Sequence, residues 1–304
     1  MKLKKLRIVQ FIEFAAAMPV ALLFYVLPRA VAFRLGEWLG ELMYRIMDRR
    51  RAIGYKNLTI AFGETLSEAE RQQILRATFR NLGKSLVETL HFPKMSKRAV
   101  QEKVTIAGQE HYQAALHKGK GFICLAAHMG NWEMTPHAQA AAGYPLSVVA
   151  RPLDNQFFDW MVLKLRTMYG NKMITSRNSL KHILAALKQK EAVGILMDQN
   201  TTRSAGIFVD FFGKPACTIP VIAILALRYN VPVLPTFVVR TGFDTHTLYI
   251  GPEIDITRTG DLQHDIEVNT ANFNKILADF IRQYPDQWFW IHNRWKTQPS
   301  NAGF

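Results

Sequence analysis

The 304-residue chain is short of cysteine, of acidic charge and of any compositional repetition. Its two cysteines, Cys124 and Cys217, are too few for a disulfide framework or a zinc site, and each lies in an apolar context that reads as core. They lean mildly toward a cytosolic location. A thiol nucleophile at Cys124 has only its intrinsic reactivity to recommend it. The chain has 38 Lys and Arg against 24 Asp and Glu, a formal net charge of +14. There is no zinc-finger spacing and no ribonucleoprotein-type aromatic motif, and the basic residues are spread along the chain, so this surplus does not read as nucleic-acid binding. An anionic membrane surface is the partner it fits. No repeat, low-complexity tract or long linker breaks the chain, and its length suits one large domain with at most a small appendage.

What is present begins with a long apolar run from Ile8 to Leu27, preceded by Lys2, Lys4, Lys5 and Arg7. Twenty residues would just span a bilayer as a helix, but Glu13 and Pro19 interrupt the run, so a tilted or half-buried anchor fits as well as a full span. A cleaved signal peptide is the competing reading, because Ala30-Val31-Ala32 resembles a cleavage site. A retained anchor is favoured: the run is long for a signal core, and an amphipathic segment follows it. There Leu35, Trp38, Leu39, Leu42, Met43 and Ile46 recur at helical spacing.

The pattern predicts an anchor over residues 1–30, a helical region over 31–103 and an α/β core over 104–304. Ser67 to Glu70 has the form of a capping box opening a helix to about Leu90. Apolar, β-rich runs at 121–127, 146–150, 172–175, 192–197, 231–239 and 247–250 alternate with helical stretches near 155–169, 178–189, 218–229 and 265–283. This order predicts a mostly parallel central sheet flanked by helices.

The first of those runs ends in His128-Met129-Gly130-Asn131-Trp132-Glu133. Histidine titrates near neutrality and can take a proton from a hydroxyl and return it to a leaving group, while a carboxylate behind it fixes the tautomer. Gly130 and Asn131 permit the turn that brings Glu133 round, and Asn131 is placed to cap a helix running to about Ala142. Arg151, Arg177 and Asp198 also follow apolar runs. If the strands are parallel, all gather with His128 at the carboxyl edge, where open α/β sheets bind ligands. For each, an ordinary loop or capping role is the alternative.

Phe208, Phe211 and Phe212 fall in a segment that reads as a loop, where they either plug the core or line an acyl channel. The segment 287–297 carries Trp288, Trp290 and Trp295 beside Arg294 and Lys296; it reads either as a membrane-interface, phosphate-holding stretch or as a buried closing element.

Taken in order, these blocks resemble the bacterial lipid A biosynthesis late acyltransferases (lauroyl or myristoyl transferases), within the wider lysophospholipid and glycerolipid acyltransferase group. The group's His-x4-Asp/Glu motif is matched by His128 and Glu133. The lipid A branch is matched by Arg51 with Asn57-Leu58, by Phe211-Phe212-Gly213 with Ala216 and Thr218, and by Trp290 to Thr297. The resemblance covers nearly the whole chain. It implies a membrane-associated O-acyltransferase without cofactor or metal, moving a fatty acyl chain from an acyl carrier protein or coenzyme A thioester to a hydroxyl of a lipid A precursor.

On that reading His128 is the general base and Glu133 orients it, with Arg151 as a candidate for oxyanion or phosphate contact. The residues themselves equally allow Asp198 as the carboxylate behind His128. Asn131, Arg177, Arg294 and Lys296 are further candidates for substrate contact. Asn293 stands where the family often has a second arginine, which bears on the acceptor's phosphate pattern. Three alternatives remain: the same chemistry on another glycolipid or aminolipid, a non-catalytic membrane lipid-binding protein, and a hydrolase using His128, Glu133 and His137 as metal ligands. The last lacks any recognised short zinc motif. The helix is expected in the inner leaflet of the bacterial inner membrane, with the catalytic domain facing the cytoplasm.

Overall fold

The computed structural model describes residues 6–175 and 179–299; Arg177 therefore lies outside the described residues. The chain opens with helix α1 (Arg7–Val26), α2 (Arg29–Ile46), α3 (Asp48–Phe62), α4 (Glu68–His91) and α5 (Lys97–Lys103). The first of these is long and apolar enough to cross a membrane, and of its side chains only Gln10 and Phe24 are buried. The stretch Ala30-Val31-Ala32 lies inside α2, with Ala32 fully buried.

Close backbone approach joins α2 to α4. Gly36 and Gly40, one turn apart on α2, face Gly83 of α4 so closely that a Cβ on Gly83 would run into the carbonyl oxygen of Gly36. Beside this seam, Glu41 of α2 accepts from Arg76 (2.6 Å) and Arg80 (3.0 Å) of α4. The Arg76 hydrogen bond is the main reason the Glu41 carboxyl drops to about 2. The capping box is present: the Ser67 hydroxyl accepts from the Glu70 amide while the Glu70 carboxylate accepts from the Ser67 amide.

The α/β part runs β1 (Val104–Ala107), α6 (Gln109–His117), β2 (Phe122–Ala126), α7 (Met134–Ala141), β3 (Leu146–Ala150), α8 (Gln156–Arg166), β4 (Lys172–Thr175), α9 (Ser179–Lys188), β5 (Ala192–Leu196), β6 (Ile207–Phe211), β7 (Lys214–Thr218), α10 (Val221–Tyr229), β8 (Val233–Arg240), β9 (His246–Ile250) and α11 (Leu262–Gln283). Among the described residues, seven strands form one sheet in the order β1-β9-β8-β2-β5-β3-β4, parallel except for the β8–β9 pair.

Alternation along the central strands separates two cores. Ile123, Leu125, Val193 and Ile195 face α9, α10 and α11, whereas Phe122, Cys124 and Ala192 face α5, α6 and α7.

Two expectations need correction and one strand is unanticipated. The Phe-rich segment is not a loop: β6 and β7 form an antiparallel hairpin turning at Phe212-Gly213, both at positive φ as a tight two-residue turn requires. Strand β1 is too short and weakly patterned to stand out among helical neighbours. Helix α7 begins at Met134, later than expected, and has no side-chain cap, because the Asn131 side chain is engaged elsewhere.

Ala has a helix propensity about 1 kcal/mol better than Gly. At position 83 the overlap with the Gly36 backbone, which cannot rotate away, should override that preference, since overpacking costs about 1–3 kcal/mol or more. Gly83→Ala is therefore expected to lower the denaturant midpoint; an unchanged or raised midpoint would show that the α2–α4 seam is not rigid.

Candidate active site

The register of two parallel strands builds the site. Ala126 of β2 pairs with Leu196 of β5, and the Met197 amide still donates to the Ala126 carbonyl at 3.3 Å. Two residues past each strand end stand His128 and Asp198. The His128 Nδ1 lies 2.8 Å from Asp198 Oδ1, and the His128 amide donates to Oδ2 at 3.0 Å. Trp288, from the C-terminal segment, donates its indole N–H to Oδ2 at 2.8 Å.

Asp198 is fully buried, which alone would raise its carboxyl. The charge and hydrogen bond of His128, with the Trp288 indole and the His128 amide, hold it below the usual carboxylate range. A carboxylate accepting from Nδ1–H places the proton there and leaves Nε2 as the base.

Glu133 turns back toward the same cleft but does not reach the imidazole. Its carboxylate takes a two-pronged bond from Arg166 at the end of α8, Nε at 2.8 Å and Nη2 at 2.6 Å, and accepts from the Trp132 indole at 3.2 Å. Trp132 in turn packs edge-on against His128, with ring centroids 5.1 Å apart. The carboxylate in contact with His128 is thus Asp198, and Glu133 organises the neighbouring wall. His137 points away, its Nδ1 donating to the Glu133 carbonyl at 2.8 Å and its ring against Phe92. The trio His128, Glu133 and His137 does not converge on a metal position, and no such cluster occurs among the described residues.

The turn carrying His128 rests on a buried ion cluster. Asn131 donates through Nδ2 to Glu88 of α4 at 2.9 Å, and the same carboxylate takes Arg240 of β8 at 2.6 and 2.7 Å and lies 3.3 Å from His246 Nε2. Burial would raise Glu88, but His246 and Arg240 hold it at about 2. Gly130 crosses β8 so closely that a Cβ would strike the Val238 carbonyl oxygen. Its φ of +54° is one a glycine adopts without strain.

From His128 a cleft of about 370 Å³ runs down between the sheet and α7. Its walls are Cys124 and Ala126 of β2, Leu146, Val148 and Ala150 of β3, Gly194 and Leu196 of β5, and Thr135 and Pro136 of α7; Arg151, Glu133 and Arg166 also line it. A polar mouth holding the His128–Asp198 pair thus opens onto an apolar slot. At about 3.3 Å per residue, the four rises from Leu146 to Ala150 of β3 alongside the slot span about 13 Å.

The sequence model of the bacterial lipid A biosynthesis acyltransferases matches residues 2–297. The chain belongs to that family. Similar proteins from Escherichia coli (strain K12) include the lipid A biosynthesis palmitoleoyltransferase, 30% identical over 90% of this chain and 87% of the relative, and the lauroyltransferase, 29% identical over 91% and 89%. The myristoyltransferase of the same strain is 25% identical over 87% and 80%. The chain is an O-acyltransferase of the lipid A type.

Within this acyltransferase, several motif residues hold the site without lining it. Phe211 and Phe212 are buried against Trp288, Trp290 and Phe62, and neither they nor the half-buried Phe208 line the cleft that starts at His128. Arg294 is fully buried and donates to the Cys217 carbonyl at 2.7 Å and the Thr218 hydroxyl at 2.5 Å, so its cation is spent inside the fold. Lys296 is exposed and lies off the cleft. Trp288, Trp290 and Trp295 are buried, which corrects the membrane-interface reading of that segment. Asn57 clasps it by donating to the Trp290 and His292 carbonyls, and His292 Nε2 accepts from the Asn200 amide at 3.0 Å. Arg51 donates to the Tyr44 and Arg45 carbonyls at the end of α2.

Arg151 sits exposed at the mouth, paired with Asp154. Cys124 is buried, which pushes its thiol up to about 11 and removes it as a nucleophile. Sequence reasoning missed Trp288 as a donor to Asp198, and missed Glu88, Arg166 and Arg240, whose partners stand far from them in the chain.

Removing one partner from a buried ion cluster costs about 3–5 kcal/mol. Glu88→Ala strands the Arg240 guanidinium and should show a loss of that size in denaturant unfolding; a loss below about 1 kcal/mol would mean water replaces the carboxylate.

Burial lowers His292 from 6.5 to about 4, with the Asp198 charge opposing. Because the folded value is the lower, the unfolded chain binds the proton first, so stability falls as pH drops from about 6.5 toward 4. His91 and His137, also lowered by burial, add with the same sign. Unfolding midpoints between pH 7 and pH 4 should show this decline, shallower in His292→Gln, whose amide oxygen can take the Asn200 bond at any pH.

Proposed function

We propose that this enzyme moves a fatty acyl group from a thioester of acyl carrier protein or coenzyme A to a hydroxyl of a lipid A precursor, with His128 as general base. The observation that carries the reading is the His128–Asp198 pair standing at the mouth of an apolar slot.

The acyl chain lies in the slot with its thioester carbonyl at His128. The acceptor hydroxyl gives its proton to Nε2 as its oxygen attacks that carbonyl carbon. Asp198 stabilises the imidazolium, and the tetrahedral oxyanion collapses by breaking the carbon–sulfur bond. The imidazolium proton then goes to the departing thiolate, and base and enzyme are restored. Arg151 is mostly exposed, which suits a phosphate of donor or acceptor better than the oxyanion, whose stabilisation demands a dry, pre-aimed donor. Glu133 keeps Arg166 and Trp132 in place along the same wall.

Exposed apolar surface supports a placement at the membrane. Ile8, Ile12, Leu22 and Val26 of α1, Trp38 and Ile46 of α2 and Trp160 of α8 all stand largely outside the fold. These side chains would enter the inner leaflet of the inner membrane, with the basic surplus on anionic headgroups and the cleft on the cytoplasmic side, where thioester donors are made.

The test is mass spectrometry of lipid A and total glycolipids from a host lacking its own late acyltransferases. The intact protein is expected to add one acyl chain to lipid A. His128→Ala should add none, and Asp198→Asn should slow transfer by about 10³–10⁴-fold, the scale for a catalytic imidazole that loses its carboxylate. A gain on a different lipid would replace the acceptor, and an unchanged lipid profile with folded, membrane-bound protein would sink the reading.

A further inference from the structure

Gly194 occupies the middle of β5, buried in the sheet between β2 and β3, opposite Cys124 on one side and Val148 on the other. A strand interior is a poor place for glycine, which weakens the strand and has no side chain to pack. Two ordinary reasons for retaining it do not apply. Its φ is not in the positive range, so the backbone does not require it. A Cβ built on it meets nothing closer than Leu146 Cδ1 at 3.6 Å, an ordinary contact, so crowding does not exclude a side chain either. Gly121, at the start of the neighbouring strand, is the opposite case: a Cβ there would strike the Leu187 and Glu191 backbones.

What remains is the space itself. Gly194 lines the cleft that starts at His128, with Leu196 above it toward the mouth and Leu146 beside it toward the deep end. Below Leu196, the sheet face lining the cleft carries only small residues on β2 and β5, Cys124, Ala126 and Gly194, while the opposite face of the same strands carries Ile123, Leu125, Val193 and Ile195 in close packing. A side chain at 194 would project into the cleft toward Leu146, between its mouth and its floor, and narrow it in proportion to its size.

We propose that Gly194, with Leu146 opposite, sets how long an acyl chain the enzyme accepts, by leaving open the lower part of the slot. The proposal rests on reading that slot as the acyl site. Gly194 is a specificity-determining residue and takes no part in the proton transfers.

The full-length protein, purified in detergent, is offered an equimolar ladder of saturated acyl thioesters of increasing length and a lipid A precursor, and the products are resolved by mass. Gly194→Ala, whose methyl fits without clash, and Gly194→Leu are expected to shift the products stepwise to shorter chains. Leu146→Ala should shift them to longer ones. For Gly194→Leu, the ratio of the wild type's preferred chain to one two carbons shorter should fall by at least about tenfold, the scale of losing two buried methylenes. If the larger variants fail to fold, the direction of the shift in Gly194→Ala decides. Variants that turn over with the wild-type length profile would overturn the proposal while leaving the function intact. A wild-type protein that transfers no member of the ladder would overturn the acyl-site reading, and the proposal with it.

Discussion

The Asp198 carboxylate is the constraint on which the active site depends. A buried charge persists only if donors surround it, and here they come from distant parts of the chain: the amide and imidazole at residue 128, and an indole at residue 288. Meeting that need brings together the ends of β2 and β5 and the C-terminal segment. The same contacts orient the imidazole. Asn57, Gln287 and the hairpin aromatics then hold the C-terminal segment so that Trp288 stays in place.

A second buried charge supports the turn from below. Glu88 ties α4 to β8 and, through Asn131, to the residues following His128. The helical N-terminal region is therefore part of the machinery that positions the site as well as the part that bears the apolar helix. The glycine seam holds α2 and α4 of this region in close backbone contact. The apolar helix and the cleft are connected by packed structure: α1 meets α8 through Phe11, Phe14, Phe157 and Phe158, and α8 ends at Arg166 in the cleft wall.

Much of the fold was legible because it is written in local periodicity. The strands of the central sheet from 122 to 250 and the helices between them follow from apolar alternation, and the boundaries fall within a few residues of those expected. The hairpin at 207–218 was not legible, because its aromatics pack on tryptophans some eighty residues away that no local pattern reveals. Arg294 and Lys296 were paired in sequence as cations beside tryptophan, but burial separates them: one is fully enclosed and the other faces outward. Glu133 and Asp198 were both open as partners of His128, and only the strand register favours the second.

The sequence by itself determined the alternation of strands and helices, the histidine at a strand end, the apolar N-terminal run and the family, since each is carried by neighbouring residues or by motifs in order. The tertiary structure decided which carboxylate touches His128, that Phe211 and Phe212 belong to the core, and where the sheet leaves an apolar cleft open. Those depend on distances between residues far apart in the chain and on space that no side chain fills, and neither is encoded at any single position.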